Sequence, residues 1–246
     1  NVSTIGAAEE GSSSYYDMLV ANSFGTFRQL LMDVTLHPMM GRFLSHYKNR
    51  KSNTTAGTRP DENYAREVQQ LFTIGLYKLN ADGTYQTDGT GRPLDSYTND
   101  QITEFARVFT GLTDASTNNT GTGTDRTDFP SASQNYTSPM RMWDGQHDTG
   151  AKNLHNYSGV RKATLPAGQT GMQDLNDAID NLVESVVMGG ALSILVLYLF
   201  LRDWRATFIV GAAIPVSLVM GFAPLYLGGM SLNLMSLGGL ALGVGM

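Results

Sequence analysis

In several stretches of the first 184 positions, apolar residues recur at helical spacing; beyond them the chain closes into nearly unbroken apolar runs. Tyr15 to Leu31 carries a roughly helical pattern interrupted near Gly25. His37-Pro38 predicts its end, because proline disfavours the α region at the residue before it. Met39 to Tyr47 predicts a further short helix. Asp61 is an N-cap candidate for a helix whose Ala65, Val68, Leu71 and Phe72 share one face, with Gly75 as the C′ residue. Leu76 to Tyr85 reads as a small hairpin around Asn80-Ala81-Asp82-Gly83. Thr98 and Gln101 have the spacing of a capping box, and the helix they start places Ile102, Phe105, Ala106 and Phe109 at i, i+3, i+4 and i+7. Gly111 is its expected end. Asp114 to Ser138 is polar and patternless, a long loop.

The last quarter follows a different rule. From Ser185 to Met246 the only charged residues are Arg202, Asp203 and Arg205, and from Ala206 onward there is neither charge nor histidine. Uncharged apolar runs of about 18 residues or more are read as membrane spans. Spans are expected at about 182–201 and 206–227, with a third, truncated one at 232–246. Arg202-Asp203-Trp204-Arg205 is the tight polar turn between the first two. By the positive-inside rule Arg202 and Arg205 face the cytoplasm, which leaves the polar part on the other side of the membrane. Gly239 and Gly243 form a G-x-x-x-G, which permits close helix approach and also arises by chance in a glycine-rich apolar run. The polar residues from Leu175 to Leu182 read as helix running straight into the first span.

Composition sharpens this in two ways. The chain has 17 basic and 22 acidic residues, a formal net charge of −5, which argues against a nucleic-acid-binding surface. It has no cysteine, so disulfides, thiolate metal sites and a cysteine nucleophile are excluded; this suits an exported bacterial protein. The chain opens at Asn1 with no signal-peptide pattern and closes at Met246 inside an apolar run, so both ends read as cut.

Chemistry is sparse. His147-Asp148, with Asp144 close by, is the most suggestive group: a histidine beside carboxylates can bind a metal or act in catalysis. The bland reading is a turn at Asp148-Thr149-Gly150 with the histidine packed beside it. Glu62 and Glu67 could form an acid/base pair, but Glu62 and Arg66 are spaced i, i+4, as in a surface ion pair. Asp82-Gly83 and Asp88-Gly89 fail the EF-hand spacing and read as turns. No nucleophile elbow or phosphate loop is present, and nothing calls for a cofactor.

Two resemblances follow from longer motifs. His37-Pro38-Met39-Met40, Asp61 to Glu67, Leu71 to Leu76, Ala106 to Gly111, His147 to Lys152 and Thr164 to Thr170 occur in an order that resembles the bacterial family called domain of unknown function 1800, over about residues 12–181. That resemblance implies a mostly helical, commonly exported domain with no established activity. Leu197 to Thr207, Ile214 to Leu218, Ser231 to Leu237 and Leu240 to Met246 resemble the second to fourth membrane helices of resistance–nodulation–division efflux pumps, from about Val183 to Met246. It implies an inner-membrane location, and a parent assembly of trimers with periplasmic and outer-membrane partners. In that family acidic residues on the fourth helix carry the coupling proton; no Asp or Glu lies between Ala206 and Met246, so the role transfers to no position here.

The expectation is a mainly α chain with two parts. Residues 1–181 form a helical soluble region with a small β-hairpin and long loops; residues 182–246 form a transmembrane helical hairpin and a partial third span. The two resemblances are each cut between Asp174 and Met188, which suggests a chimeric join. Efflux-type transport is the leading functional class, inoperable in this fragment, and an exported helical domain with a binding or hydrolytic role is the alternative. The lipid bilayer is the expected partner.

Overall fold

The computed structural model describes residues 9–80, 84–115, 129, 135–157 and 160–213. The chain divides into two compact units, Asn1–Met188 and Gly189–Met246.

The first unit is mainly helical. Helices α1 (Glu9–Ala21) and α2 (Phe27–Leu36) replace the single interrupted helix of the sequence pattern, with the break at 22–26. Thr26 caps α2 by accepting from the Gln29 amide at 3.2 Å. His37 is both the C-cap of α2 and the N-cap of α3 (Pro38–Phe43), and Pro38 takes the first-turn position where a missing N–H costs nothing. Helix α3 packs on α1 and α2.

Helix α4 (Asn63–Glu67) begins one residue later than expected. Glu62 is its N-cap and makes no side-chain cap bond; Asp61 serves the same end, accepting from the Asn63 amide at 2.9 Å. Its continuation, Val68–Phe72, is π-helical. The wider turn, with i→i+5 bonding, rotates the apolar face. Ala65 and Val68 are buried as expected, but Leu71 is turned out to solvent and Gln69 takes the inward place. Gly75 ends the segment with a φ of +78°, a left-handed position that favours glycine.

The expected hairpin appears as a bridge between Leu79 and Tyr85, and its ribbon continues through bridges Tyr77–Asp95 and Thr87–Pro93. Its Ala81-Asp82-Gly83 tip lies outside the described residues. Helix α5 (Asn99–Val108) has the predicted capping box, with Thr98 and Gln101 each satisfying the other's backbone amide. Its four predicted core residues are all buried. Two short antiparallel pairs were not anticipated: β1 (Leu112–Thr113) with β2 (Arg141–Met142), and β3 (Lys152–Asn153) with β4 (Thr164–Leu165). Two-residue strands are too short for alternation to register in a sequence.

Helix α6 (Gly171–Leu201) is continuous for 31 residues, as the sequence between Leu175 and Leu201 implied. Leu175, Ala178, Ile179 and Leu182 are fully buried in the first unit's core, an i, i+3, i+4, i+7 stripe. In the second unit's described part, α6 runs to Leu201, residues 202–203 break the helix, and 204–213 are helical again. Arg202 has a φ of +50°, and Asp203 opens the new helix by accepting from the Arg205 amide at 2.8 Å. The polar turn therefore forms where expected. Among the described residues α6 is the one helix long and apolar enough to cross a membrane. The expected transmembrane hairpin is not displayed: the second span is described only to residue 213, and the third, with Gly239 and Gly243, lies outside the described residues.

Candidate functional site

The densest polar chemistry of the first unit gathers where β3, the 144–152 loop and the start of α6 meet the end of α5. Three features of the sequence bring it together. The capping box sets the start of α5 and hence the position of Arg107. Gly111, at φ +95°, turns the chain away directly after it. Gly171 lets α6 approach: a Cβ there would sit 2.5 Å from Met142 and 3.0 Å from the His147 ring.

His147 is fully buried. Its Nδ1 faces the Thr110 carbonyl at 2.9 Å and its Nε2 faces Asp174 Oδ2 at 3.0 Å. The Thr110 hydroxyl gives its own proton to the Arg107 carbonyl at 2.6 Å, so it has none left for the ring. Both ring nitrogens thus meet acceptors, and hydrogen-bond accounting places a proton on each. Lys152 is also fully buried. Its Nζ donates to Asp174 Oδ2 at 2.5 Å, to the Gly150 carbonyl at 3.0 Å and to the Asp148 carbonyl. Asp174 Oδ1 is buried and has no hydrogen-bond partner among the described residues.

A second layer continues outward. Asp148 pairs both carboxylate oxygens with Arg107, each at 3.0 Å, and Arg107 pairs with both oxygens of Glu104 at 2.8 Å. The Gly150 amide closes the predicted turn on Asp148 Oδ1 at 2.9 Å. With His147 carrying both protons, three anions (Glu104, Asp148, Asp174) balance three cations (Arg107, Lys152, His147). Such balance is what burial demands, since an uncompensated buried charge is costly. Burial acts to raise the pKa of Asp174, but the bonds from His147 and Lys152 outweigh it and hold that carboxyl below its ordinary range. Asp148 is held low in the same way: burial opposes, and Arg107 prevails.

Of the residues singled out from sequence, the structure thus brings His147 and Asp148 into one network but turns them to different partners. Asp144 is used elsewhere: its Oδ1 accepts from the Gly171 amide at 2.7 Å, at the start of α6. Among the described residues no group of three or more His, Asp or Glu side chains is placed to hold a metal ion. Glu62 and Arg66 form the expected i, i+4 ion pair at 3.3 Å, both more than 40% exposed. Glu62 also accepts from Thr103 at 2.8 Å.

Lys152 and Asp174 were missed. Lys152 closes the His147-Asp148-Thr149-Gly150-Ala151-Lys152 motif, and Asp174 lies one residue past an unread capping box, in which Thr170 and Gln173 bond each other's backbone amides. That Thr-x-x-Gln was the available signal for the start of α6. Nothing in the linear spacing couples position 174 to positions 147 and 152.

Other buried polar groups lie apart from this network. His46 Nε2 donates to the Thr35 carbonyl at 2.8 Å, and the ring lies near Tyr64, with centroids 3.9 Å apart. His155 sits among Phe105, Tyr157 and Tyr97, and neither of its ring nitrogens has a hydrogen-bond partner among the described residues. Burial pushes the pKa of each down to about 4; for His46 the Thr35 carbonyl partly opposes this. Arg42 is held between the Tyr47 and Tyr136 rings and pairs with buried Asp114 at 3.0 Å, which ties down the start of the loop read as patternless.

Comparison with known proteins gives two similarities that overlap along the chain. Multidrug resistance protein MdtC of Pectobacterium atrosepticum is 41% identical over 90 residues, which cover 34% of this chain and 9% of that protein. MdtC proteins of Yersinia pseudotuberculosis and Yersinia pestis are 40% identical over the same length and with the same coverage. The chain therefore spans less than a tenth of the length of these relatives. A third of the chain is more than Val183–Met246 contains, so the similarity takes in residues before Val183. No solved structure matches. Residues 3–209 match the family described as Protein of unknown function (DUF1800), reaching past the expected limit near residue 181. With that match covering well over half of its length, the chain belongs to the DUF1800 family.

Proposed function

We propose that this chain is an efflux-related membrane fragment: its C-terminal part derives from a resistance–nodulation–division pump, and α6 anchors a DUF1800 helical domain to the inner membrane. The observation that carries this reading is the change of solvent along α6. From Asp174 to Ser185 the helix packs its apolar stripe in the first unit's core and pairs its acids there; from Val187 on most of its described apolar side chains are exposed, with Leu199 at 62% and Phe200 at 87%. Exposed apolar surface on that scale needs a non-aqueous partner. The 41% identity to a multidrug resistance protein supports the same assignment.

The span then begins near Val186, because Leu182 and Ser185 are occupied in the core. From there to Leu201 a helix rises about 24 Å, short of a hydrocarbon core of roughly 30 Å. The Arg202–Arg205 turn therefore lies close to the membrane face, with its two arginines on the cytoplasmic side and the DUF1800 domain on the other. Gly239 and Gly243 would fall in a later span, where their G-x-x-x-G spacing either permits close helix contact or arises by chance. Pump partners, like those of the parent family, would be met only by the C-terminal part.

Residues 182–246 do not pump by themselves. Coupling needs an intramembrane carboxylate, and none lies between Ala206 and Met246. The chimeric reading is supported by two unrelated similarities in one chain, which overlap, and by the boundary between compact units at Met188.

Membrane fractionation tests the anchor: the full chain is expected to sediment with membranes and resist carbonate extraction, and release into the supernatant would overturn it. Dye efflux from energised vesicles holding only this chain should equal that of empty vesicles. A single long DNA read across codons 170–195 tests the join, since one continuous molecule would make the fusion real and two loci would make it artefactual.

A further inference from the structure

We propose that Lys152 and Asp174 are a site of autocatalytic amide formation, which covalently fastens α6 to the first residue of β3. The reactants are already in place. Lys152 Nζ lies 2.5 Å from Asp174 Oδ2, and the two side chains are 0% and 1% exposed. A buried pair reacts without competition from solvent, and holding reacting groups in contact removes most of the entropic barrier to joining them. The carbonyls of Asp148 and Gly150 fix Nζ from its far side. His147 Nε2 stands 3.0 Å from the same Oδ2, so the atom that must depart has two proton donors directed at it.

The chemistry balances without an added reagent. The Lys152 ammonium passes one proton to Oδ2 along their hydrogen bond, which leaves the nitrogen lone pair aimed at the carboxyl group. Nζ attacks Cγ, the C–N bond forms, and the electron pair of the C=O bond moves to Oδ1. His147 Nε2–H then protonates Oδ2, the Cγ–Oδ2 bond breaks, and water leaves as the Oδ1 carbonyl re-forms. The vacated Nε2 takes the surplus proton from nitrogen, so the imidazole ends as it began. Ammonium plus carboxylate has become amide plus water. This happens once per molecule, so slow chemistry suffices.

Two observations favour the product. Asp174 Oδ1 is buried with no hydrogen-bond partner among the described residues. An unpaired oxygen of a neutral amide is cheaper to bury than one of a carboxylate. The chain also has no cysteine, so no disulfide can supply a covalent tie between α6 and the rest of the domain.

The test is the intact mass of the folded full chain in detergent, followed by tandem mass spectrometry of its peptides. The expected result is a chain lighter than its sequence by one water, with a branched peptide joining the segments around Lys152 and Asp174. Asp174→Asn should lose ammonia instead, Lys152→Ala should show its full mass, and His147→Ala should react far more slowly while folded by circular dichroism. A folded chain of full mass after prolonged incubation would overturn the proposal. So would a water loss confined to one unbranched peptide, the signature of a succinimide at Asp174.

Discussion

The two halves of α6 share one backbone geometry and almost nothing else. In the first half an apolar stripe (Leu175, Ala178, Ile179, Leu182) is fully buried, and the acids around it are all paired: Asp174 with Lys152, Asp177 with Lys162, Asp180 with Arg28 and Glu184 with Arg161. Asn181 adds two bonds, to the carbonyls of His155 and Lys162, at 2.8 and 2.9 Å. The second half has no charge, and most of its described large side chains stand exposed. Helix formation alone is indifferent to this contrast, because intrinsic propensities differ by only a few tenths of a kcal/mol per residue among most of these residues. What separates the halves is where each side chain ends. A stripe at helical spacing marks a helix that packs on protein on one side; an all-round apolar surface marks one that needs apolar surroundings on every side, a large core or lipid.

The strongest way to break the comparison is to remove one partner of the buried network. Lys152→Ala leaves Asp174 facing His147 alone, and a disrupted buried ion pair costs about 3–5 kcal/mol. The same deletion of charge is unavailable in the second half. Denaturant unfolding followed by near-ultraviolet circular dichroism should show that loss in the first unit. A change below about 1 kcal/mol would mean the network is solvated in solution.

Next comes a matched truncation on each side of the junction. Leu182→Ala empties a fully buried position and should cost about 2–5 kcal/mol in the unfolding of the first unit. Leu199→Ala, 62% exposed, should fall within about 0.5 kcal/mol in the same assay. Ile194→Lys, near the middle of the apolar stretch, should instead weaken membrane retention, by roughly 2.5–3.5 kcal/mol at the bilayer centre. Equal effects of the two alanine changes on unfolding would erase the distinction between the halves.

Acid should also act on the first unit, which holds two buried histidines, before the second half of α6, which has nothing to titrate. His46 and His155 are buried in neutral form with pKa values of about 4, below the ordinary histidine value of 6.5. Unfolded, each binds a proton as pH falls through 6.5; folded, each resists until about 4. Stability is therefore complete above pH 6.5 and drains away between 6.5 and 4, by up to about 3 kcal/mol per ring, at 1.36 kcal/mol per pKa unit. His155→Phe, which keeps a ring among Phe105 and Tyr157, should flatten part of that slope. An unchanged slope would assign the acid lability to His46 and the carboxylates alone.

Local signals were the legible ones. The capping box at Thr98, the His37-Pro38 break, the glycine at 75 and the polar turn at 202–203 are all set by residues within a few positions of one another, so a linear reading finds them. The π-helical stretch at Val68–Phe72 was not legible, because a wider turn changes the phase without changing the residues, and Leu71 accordingly moved from core to surface. The network defeated a linear reading more completely. His147 and Asp148 are sequence neighbours suited to sharing a ligand, yet their side chains serve different partners, Asp174 and Arg107. Those partners are 27 and 41 positions away. Charge pairing at that range depends on the tertiary fold, which no spacing rule encodes.

The smallest expected effect lies farthest from the network. Arg66 and Glu62 meet at 3.3 Å with their side chains 44% and 41% exposed. Water screens such a pair, and ordering two long side chains offsets much of the Coulombic gain, so Arg66→Ala should cost about 0.3–0.5 kcal/mol, falling further in high salt. Glu62 carries more than its ion pair, since the Thr103 hydroxyl donates to its other oxygen across to α5. A double-mutant cycle separates the two roles. Glu62→Gln should retain the contact with Thr103 while losing the charge, so its cost should match that of Arg66→Ala and should not add to it. A coupling above about 1 kcal/mol would place this pair with the buried network in kind. The acid/base reading of Glu62 would then merit an activity assay.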